Sequence, residues 1–315
     1  MSDRYEAQML AALAATGVRP PAAYLWFGHR FAVAPGDSLA GAIQQRLLAD
    51  FQPFGAPRPA RRRPAVQSAD GGAFARALSQ ANCGRGSWQT GWRVAAVEED
   101  AITVVRPDGL ALLAPPEDCR VAGDRADVRL PKDLAGAVPG VLRVLGDARA
   151  PAADAARVRL SCDVAATAAV TFVARATYAL NRADLPFTLD LLDDPARYGR
   201  GPAADLLVRR ADAAAVIAHL RPLLGMLGPH GSGDAPAFTK PLGRGLALAE
   251  EPPGGERFGE HRCRLLAEAI VAAGDDGLRT SAQRLAAVRA RFADAAISLD
   301  APYLQPGSID AYDGS

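Results

Sequence analysis

Lysine is nearly absent from this 315-residue chain. Only Lys132 and Lys240 occur among its 36 lysine and arginine residues. The abundance of alanine, glycine, proline and arginine is typical of a GC-rich coding sequence, which favours arginine wherever either base serves. Arginine stays protonated in proteins, whereas a buried lysine shifts its pKa readily and can act as a base. The two lysines are therefore candidates for a chemical role; the alternative is that they are surface residues retained by chance.

Paired cysteines, an export signal and membrane-spanning stretches are also missing. The absence of any CxxC pair excludes a structural zinc site and predicts reduced thiols. The N-terminus does not have the pattern of a secretion signal, and no apolar run approaches the roughly 18 residues that span a bilayer. A net charge of +1 gives no reason to expect nucleic-acid or membrane binding. We expect a soluble, cytoplasmic protein. The four cysteines are Cys83, Cys119, Cys162 and Cys263.

Common catalytic motifs are absent as well. The chain contains no GxxxxGK[ST], no GxGxxG that opens a helix after a strand, no HExxH and no GxSxG. Its four histidines lie far apart and not at metal-ligand spacing. These absences count against chemistry that depends on a nucleotide, a metal or a nucleophile elbow, and we expect no cofactor and no metal.

Hydrophobic periodicity predicts interspersed helices and strands without a strict βαβ rhythm. Helices are predicted over 3–16, from the Asp37-Ser38 cap to 49, and over 70–81, 165–182, 211–226, 259 onward and 280–294. Strands are predicted within 24–33, 88–130, 158–164, 186–192 and 205–210. We therefore expect the α+β class: mixed, largely antiparallel sheets with flanking helices, in a single large domain with a helical N-terminal part.

Composition divides the chain into three parts. Residues 1–51 form a helical and strand-containing N-terminal part, and residues 70–315 form the main domain. Between them, residues 52–69 carry four prolines and the run Arg61-Arg62-Arg63, which predicts a flexible connector. The basic run is typical of a solvated loop; the alternative is capture of a leader peptide or a phosphate.

One group of residues has the composition of an acid–base site. Lys240 lies in FTKPLG, and His261 and Arg262 fall in the first turn of a predicted helix, where free N–H groups favour an anion. A lysine base, a histidine acid and phosphate-binding arginines are the parts needed to eliminate phosphate from phosphoserine or phosphothreonine. The alternative is structural: Lys240 pairs with Glu250 or Glu251, and His261 caps the helix.

Other basic residues are candidates for the same anion site. Arg197 and Arg200 lie three residues apart after the PFTLDLL strand, and Arg129 and Lys132 flank the end of the VRLPK strand. Each is equally typical of a surface or salt-bridged residue, which contributes little energy.

Several sequence blocks resemble a known family. In chain order they are YLWFGHRF, ANCGRGSWQTGWRV, VRLPKD, PFTLDLLDDPARYGR, AFTKPLGRGLALAEEPPGGERFGEHRC and PYLQPGS. They resemble the HopA-type effector family, named for a type III secreted effector and with members in natural-product gene clusters. The resemblance runs from about residue 20 to the end, and the Lys240–Cys263 block is its most specific part.

The resemblance implies a role in peptide maturation. Family members in class V lanthipeptide and thioamide-peptide clusters act beside a kinase-like protein, which phosphorylates Ser or Thr of a precursor peptide. The HopA-type protein then eliminates phosphate to leave dehydroalanine or dehydrobutyrine, a carbon–oxygen lyase reaction that needs no metal or cofactor. For this chain it implies Lys240 or Lys132 as the base, His261 as the acid, and phosphate ligands among Arg262, Arg200, Arg197 and Arg129.

The chain departs from the family pattern at one position in particular. The family strand after the central helix has the pattern Phe-x-x-Lys, and its lysine is a leading candidate for the base. Here that position holds Asp190, and the family's nearby Arg-x-Asp-Ala is also replaced, by RGPAAD from Arg200. Two hypotheses follow: a lyase with its base elsewhere, or a catalytically weakened partner of the kinase-like protein that binds the peptide. A toxin-like effector is less favoured, since the chain has no Ser/Thr/Pro-rich export leader.

Overall fold

A computed structural model describes residues 2–19, 22–60, 71–107, 109, 111–148, 155–227 and 235–312. Within these ranges there are seven α-helices: α1 (Ser2–Ala15), α2 (Leu39–Asp50), α3 (Gly71–Ala81), α4 (Ala166–Arg182), α5 (Ala213–Met226), α6 (Phe258–Asp275) and α7 (Ser281–Asp294). The Arg61–Arg63 run and most of the glycine-rich 227–236 loop lie outside the described residues.

The same ranges contain fifteen strands: β1 (Thr16–Arg19), β2 (Ala23–Trp26), β3 (His29–Ala32), β4 (Trp88–Val97), β5 (Ile102–Val105), β6 (Ala111–Ala114), β7 (Cys119–Ala122), β8 (Arg125–Arg129), β9 (Asp133–Val138), β10 (Val141–Leu145), β11 (Arg157–Cys162), β12 (Phe187–Leu192), β13 (Ala204–Arg209), β14 (Lys240–Gly243) and β15 (Leu246–Glu250).

All described strand pairs are antiparallel, and they form three sheets. The order is β1-β2-β3 in the first, β14-β15-β11-β13-β12-β10-β9 in the second and β6-β5-β4-β8-β7 in the third. This confirms the predicted α+β class. We call the seven-stranded sheet the main sheet.

Helix starts follow from capping side chains. The Ser38 hydroxyl accepts a hydrogen bond from the Gly41 N–H at the start of α2, which confirms the predicted cap. Thr280 and Gln283 form a capping box at the start of α7. Each cap satisfies backbone donors that the first turn leaves without a partner.

Five strands do not follow from the sequence patterns. β1 begins where the first predicted helix ends, β9 and β10 pair between 131 and 157, where no strand is predicted, and β14 and β15 form a hairpin in a stretch interpreted as polar and glycine-rich. Glycine and proline interrupt the alternation in β9 and β14. All five residues of β15 are buried, so that strand has no alternation to detect.

The main sheet has one core face. Strands β10, β12 and β13 alternate between buried and partly exposed residues, and their buried residues join the principal core with α4 and α5. The third sheet has a small core of its own around Trp92, Val104 and Val128. The other face of the main sheet carries polar residues, and it is the face that matters for the candidate site.

The first part of the predicted connector packs against the N-terminal part. Residues Gln52–Phe54 form a 3₁₀ turn, and the Trp26 indole N–H donates to the Arg58 carbonyl at 2.8 Å. The Arg58 guanidinium lies 4.1 Å from the centroid of the Phe54 ring. The rest of the connector, 61–69, lies outside the described residues. Among the helices that the structure describes, none is long and apolar enough to span a bilayer.

Candidate functional site

Phe238 fixes the backbone that leads to Lys240. Its φ of 67° lies in the left-handed region, which a bulky residue rarely adopts. The ring is fully buried, edge-on to Phe51 and stacked on Phe292. This packing holds the unfavourable backbone geometry in place, and β14 begins two residues later, at Lys240.

Lys240 is buried and ion-paired. Its Nζ donates to Asp310 Oδ2 at 2.6 Å, and its side chain is 5% exposed. The Tyr303 hydroxyl donates to the same oxygen at 2.5 Å, and the Tyr303 ring centroid lies 5.6 Å from Nζ. Partial burial raises the pKa of Asp310, but the hydrogen bonds from Lys240 and Tyr303 outweigh it and hold that pKa below its usual value. Lys240 therefore forms a salt bridge, as the structural alternative expected, but the partner shown is Asp310, whereas the alternative named Glu250 or Glu251.

Glu250 lies at the end of β15, in the same region. Its carboxylate accepts from the Tyr312 hydroxyl at 2.7 Å and from the Gln305 N–H at 2.8 Å, and it lies 3.2 Å from Arg210 Nε. We call Lys240, Tyr303, Asp310, Arg210, Glu250 and Tyr312 the C-terminal cluster. Residues 305–312 cover this cluster and supply several of its hydrogen bonds.

Arg262 contacts the chain just before that segment, and His261 contacts Arg262. Arg262 is fully buried in α6 and donates to the carbonyls of Pro302 at 2.7 Å and Leu304 at 2.8 Å. Burial lowers the pKa of Arg262 to about 10. Its Nη1 lies 2.6 Å from His261 Nδ1. Arg262 therefore anchors residues 302–304, which places it beneath the chain rather than at an open surface.

His261 is neutral at pH 7. Burial and the positive charge of Arg262 lower its pKa from 6.5 to about 4. A neutral imidazole accepts at Nδ1 when Nε2 carries the proton, which fits the contact with the Arg262 guanidinium. In this arrangement His261 holds no readily donated proton near neutral pH.

The remaining predicted residues lie in separate environments. Lys132 donates to the carbonyls of Ser79 at 3.0 Å and Asn82 at 2.9 Å, at the C-terminus of α3, where a cation is favoured. Arg129 pairs with Asp118, and Arg197 donates to the Gly140 carbonyl. Arg200 is exposed. The roles predicted for these residues stay predictions.

Asp190 belongs to a polar row across the main sheet. The row takes one residue from each of six neighbouring strands, and each residue pairs directly with the next. In order across the sheet they are Arg143, Asp190, Asp205, Ser161, Ala247 and Pro241. Directly opposed residues point to the same face of a sheet. Arg143 donates two hydrogen bonds of 2.8 Å to the Asp190 carboxylate. An arginine on a neighbouring strand therefore neutralises the acid at the position where the resemblance predicts lysine.

A groove lies over this row. Its larger part is a cavity of about 350 Å³ lined by Ser161 and Ala247 of the row, by Asp163, and by walls at 54–56, 235–236 and 241–246. A smaller hollow of about 80 Å³ is lined by Asp190, Asp205, Arg159 and Arg257, and Pro202 lines both spaces. We call the two spaces together the sheet groove.

Hydrogen bonds position the floor and one end of the sheet groove. Ser161 Oγ donates to Asp205 Oδ1 at 2.7 Å. Arg159 lies between Asp205 and Glu251, and Glu251 accepts from the Phe258 N–H at 3.0 Å, at the start of α6. The negative charge of Glu251 thus interacts favourably with the positive end of the α6 dipole, and its contacts link the start of the helix to the sheet.

Lys240 lies on the opposite face of the sheet from the groove. It pairs with Leu248, which pairs with Leu160, whereas its neighbour Pro241 lies in the polar row. Because alternate residues of a strand point to opposite faces, the lysine and the groove are separated by the sheet. The structure therefore brings together Lys240 with Tyr303 and Asp310, and His261 with Arg262, but neither group with the groove.

Sequence reasoning missed the groove residues Ser161, Asp163 and Asp205. Each is an ordinary polar residue in or beside a predicted strand, and only strand register places them together. The alternation of polar and apolar residues in 158–164 was the available signal. Within the described ranges, no cluster of three or more His, Cys, Asp and Glu side chains is arranged to hold a metal ion.

The fold and the composition of these sites define an α+β protein built on an antiparallel seven-stranded sheet. The profile of the HopA1 effector protein family matches residues 135–304, which is more than half of the chain. The chain therefore belongs to the HopA1 effector protein family, as its sequence blocks predicted.

Two solved structures share the fold. One is an effector protein from Pseudomonas syringae pv. tomato strain DC3000, with a TM-score of 0.54 and 15% identity over 96% of each chain. The other is an effector protein from Pseudomonas syringae pv. syringae strain 61, with a TM-score of 0.51 and 15% identity over 97% of this chain and 99% of that one. A comparison with curated proteins gives no match.

Proposed function

We propose that the chain binds a phosphorylated precursor peptide in the sheet groove and acts as a recognition partner of a kinase-like protein in ribosomal peptide maturation. The observation that carries this proposal is the groove itself, a cavity of about 350 Å³ that shares Pro202 in its lining with a second, smaller hollow. A concave space with a few placed polar groups is the usual form of a ligand site.

The dimensions suit a short extended segment. From Asp190 on β12 to Pro241 on β14 the polar row crosses four strand-to-strand steps. At about 4.8 Å a step this is roughly 19 Å, the length of five or six extended residues. A peptide of that length crosses the floor formed by Asp205, Ser161 and Ala247.

The arginines at the two spaces are the groups that could bind an anionic group on the peptide. Arg4 and Arg257 line the two spaces, and Arg200 is exposed two residues before Pro202. Planar guanidinium groups bind phosphate through paired hydrogen bonds. The acids of the floor have partners in the protein: Asp190 has Arg143, and Asp205 has Ser161 and Arg159.

Recognition fits the geometry better than catalysis because neither lysine of the chain lies at the sheet groove. Lys240 lies on the other face of the sheet and pairs with Asp310, and Lys132 donates to two carbonyls at the end of α3. The position where the family pattern has lysine holds Asp190. A lysine base at the groove would therefore need a large rearrangement of one of these side chains.

Phosphate elimination is the second candidate, favoured by the burial of Lys240 beside Tyr303. Burial is the means by which proteins lower a lysine pKa. In that reaction the base removes the Cα proton, the Cα–Cβ double bond forms, and phosphate leaves Cβ with the electron pair of the broken C–O bond. For this chain the reaction requires that Lys240 first separates from Asp310.

One experiment distinguishes the two candidates. A fluorescent peptide carrying phosphothreonine is incubated with the purified protein, and anisotropy and mass spectrometry are recorded on the same samples. Recognition predicts saturable binding, weaker for the unphosphorylated peptide, with the peptide mass unchanged. Loss of the mass of phosphoric acid establishes the lyase instead, and the absence of both binding and elimination contradicts both candidates. Co-purification with a kinase-like protein tests the partner.

A further inference from the structure

The Asp310 carboxylate receives more donors than a simple surface ion pair does. Lys240 Nζ and the Tyr303 hydroxyl reach one oxygen at 2.6 and 2.5 Å, and the Tyr312 N–H reaches the other at 3.2 Å. Lys240 is 4% exposed and Tyr303 is 1% exposed. Two buried side-chain donors thus converge on one anion that arrives from the C-terminal segment.

The donors belong to the core, whereas the anion does not. Lys240 opens β14 at the edge of the main sheet, and Tyr303 is held in place because its own carbonyl accepts from the Glu250 N–H at 2.8 Å. Asp310 lies in a segment without helix or strand that follows both. A buried ammonium without an anion is strongly unfavourable, so this site needs an oxyanion whichever molecule supplies it.

We propose that Lys240 and Tyr303 form an oxyanion-binding site that the chain's own Asp310 occupies, and that a phosphorylated or acidic peptide side chain enters it by displacing residues 305–312. The site lies on the face of the main sheet opposite the groove, so it is independent of the proposed groove function. The ligand class is a phosphate monoester or a carboxylate on a peptide.

Arg210 provides additional hydrogen-bond donors for an anion when residues 305–312 are displaced. Its guanidinium donates to Ser308 Oγ at 3.0 Å and to the Ile309 carbonyl at 3.2 Å, both within the segment. Displacement therefore releases part of an arginine next to the incoming anion. Glu250 is the acid that faces the site, and it remains beside Arg210, 3.2 Å from Nε, so repulsion of the ligand is limited.

The segment is held by contacts that a ligand could replace. Besides Asp310 they are the Tyr312 hydroxyl on Glu250, the Gln305 contacts with Glu250 and the Arg210 contacts. An intramolecular ligand acts at an effective concentration in the millimolar range. A displacing ligand must therefore be tested at concentrations above that range or in a variant whose own anion is removed.

The first arm of the test removes the internal anion. Thermal unfolding of Asp310→Ala is measured in sodium chloride, sodium formate and O-phospho-L-serine at equal ionic strength. We expect formate or phosphoserine to raise the Tm of this variant by at least about 2 °C, a shift that corresponds to ligand well above its Kd. Wild-type protein and Asp310→Ala/Lys240→Met are the controls, and neither should show the difference. Formate carries only a carboxylate, whereas phosphoserine carries a phosphate and a carboxylate, so a response to phosphoserine without a response to formate identifies the phosphate as the bound group.

The second arm uses the unmodified protein. Hydrogen exchange of residues 305–312 is followed with increasing phosphoserine, and we expect the exchange rate to rise by at least about threefold while the main sheet stays protected. The proposal is overturned if Asp310→Ala responds equally to all three salts, or if the wild-type segment does not respond at any phosphoserine concentration. In the latter case Asp310 is a fixed structural acid. If Asp310→Ala does not fold, the isosteric Asp310→Asn takes its place in the first arm.

Discussion

At the scale of single residues, position 190 holds an acid where the resemblance predicts lysine. Asp190 and Arg143 face each other on β12 and β10 and share two hydrogen bonds. A bidentate arginine–carboxylate pair has a geometry that lysine cannot reproduce. The acid at this position is therefore neutralised by a partner on the neighbouring strand.

Replacing that acid with the family's lysine should destabilise the protein. Asp190→Lys places a second cation against Arg143, and we expect a loss of about 2 kcal/mol in the free energy of unfolding, measured with urea. The exchanged pair Arg143→Asp/Asp190→Lys should recover at least half of that loss. A single variant as stable as wild type would show that the pair contributes nothing.

His261 should give the stability a pH dependence that can be isolated. Its pKa is about 4 in the folded chain and near 6.5 when unfolded. The unfolded state therefore binds the extra proton between those values, and stability falls as the pH is lowered from 6.5 to 4. His261→Gln should reduce the slope over this window in urea titrations. An unchanged slope would mean that His261 is protonated in the folded protein near pH 6.

At the scale of elements, the walls of the groove depend on close backbone packing. Gly55 follows the turn after α2 with a φ of 67°, and a Cβ there would lie 2.5 Å from the Ala235 carbonyl oxygen. This glycine joins two distant parts of the chain at the rim of the cavity. No other residue fits without displacement of one wall.

Gly55→Ala should therefore cost more than an ordinary turn substitution. We expect a loss of about 2 to 3 kcal/mol, because a backbone clash adds to the strain of the left-handed conformation. Gly123→Ala is the matched control, with a φ of 64° and open space around its Cβ, and should lose only about 1 kcal/mol. Equal losses in the two variants would indicate that the wall moves freely.

The sequence predicted most elements but not the groove. Ser38 and its following apolar residues define α2 from local chemistry alone, and the same holds for Thr280 and α7. β15 was not predicted, because all its residues are buried and the strand therefore shows no alternation of polar and apolar residues. The groove floor was not predicted for a different reason. Ser161, Asp205 and Asp190 become neighbours only through strand register, which no local pattern specifies.

The candidate site shows the same limit. Sequence reasoning identified Lys240, His261 and Arg262 as unusual, and the structure places Lys240 and Arg262 against residues 302–310 and His261 against Arg262. It could not identify Asp310 as the partner of Lys240, since 70 residues separate the two along the chain. Nor could it place Lys240 on the face opposite the groove, which depends on the register of β14 against β15.

At the scale of the whole molecule, the main sheet separates two polar sites. One face carries the sheet groove, bounded by the turn after α2 and the start of α6. The other carries Lys240 and Tyr303, covered by residues 305–312. Family membership defines the shared fold, and the two sites lie on opposite faces of its main sheet.

The most direct test of the account is peptide binding with the groove blocked. Ala56 is exposed and lines the cavity, so Ala56→Trp fills the groove without entering the core. Ala122→Trp places the same ring on an exposed residue of β7, outside the groove. The account predicts that the phosphothreonine peptide binds Ala122→Trp as it binds wild type, and binds Ala56→Trp at least tenfold more weakly. Equal affinity for all three proteins would contradict it.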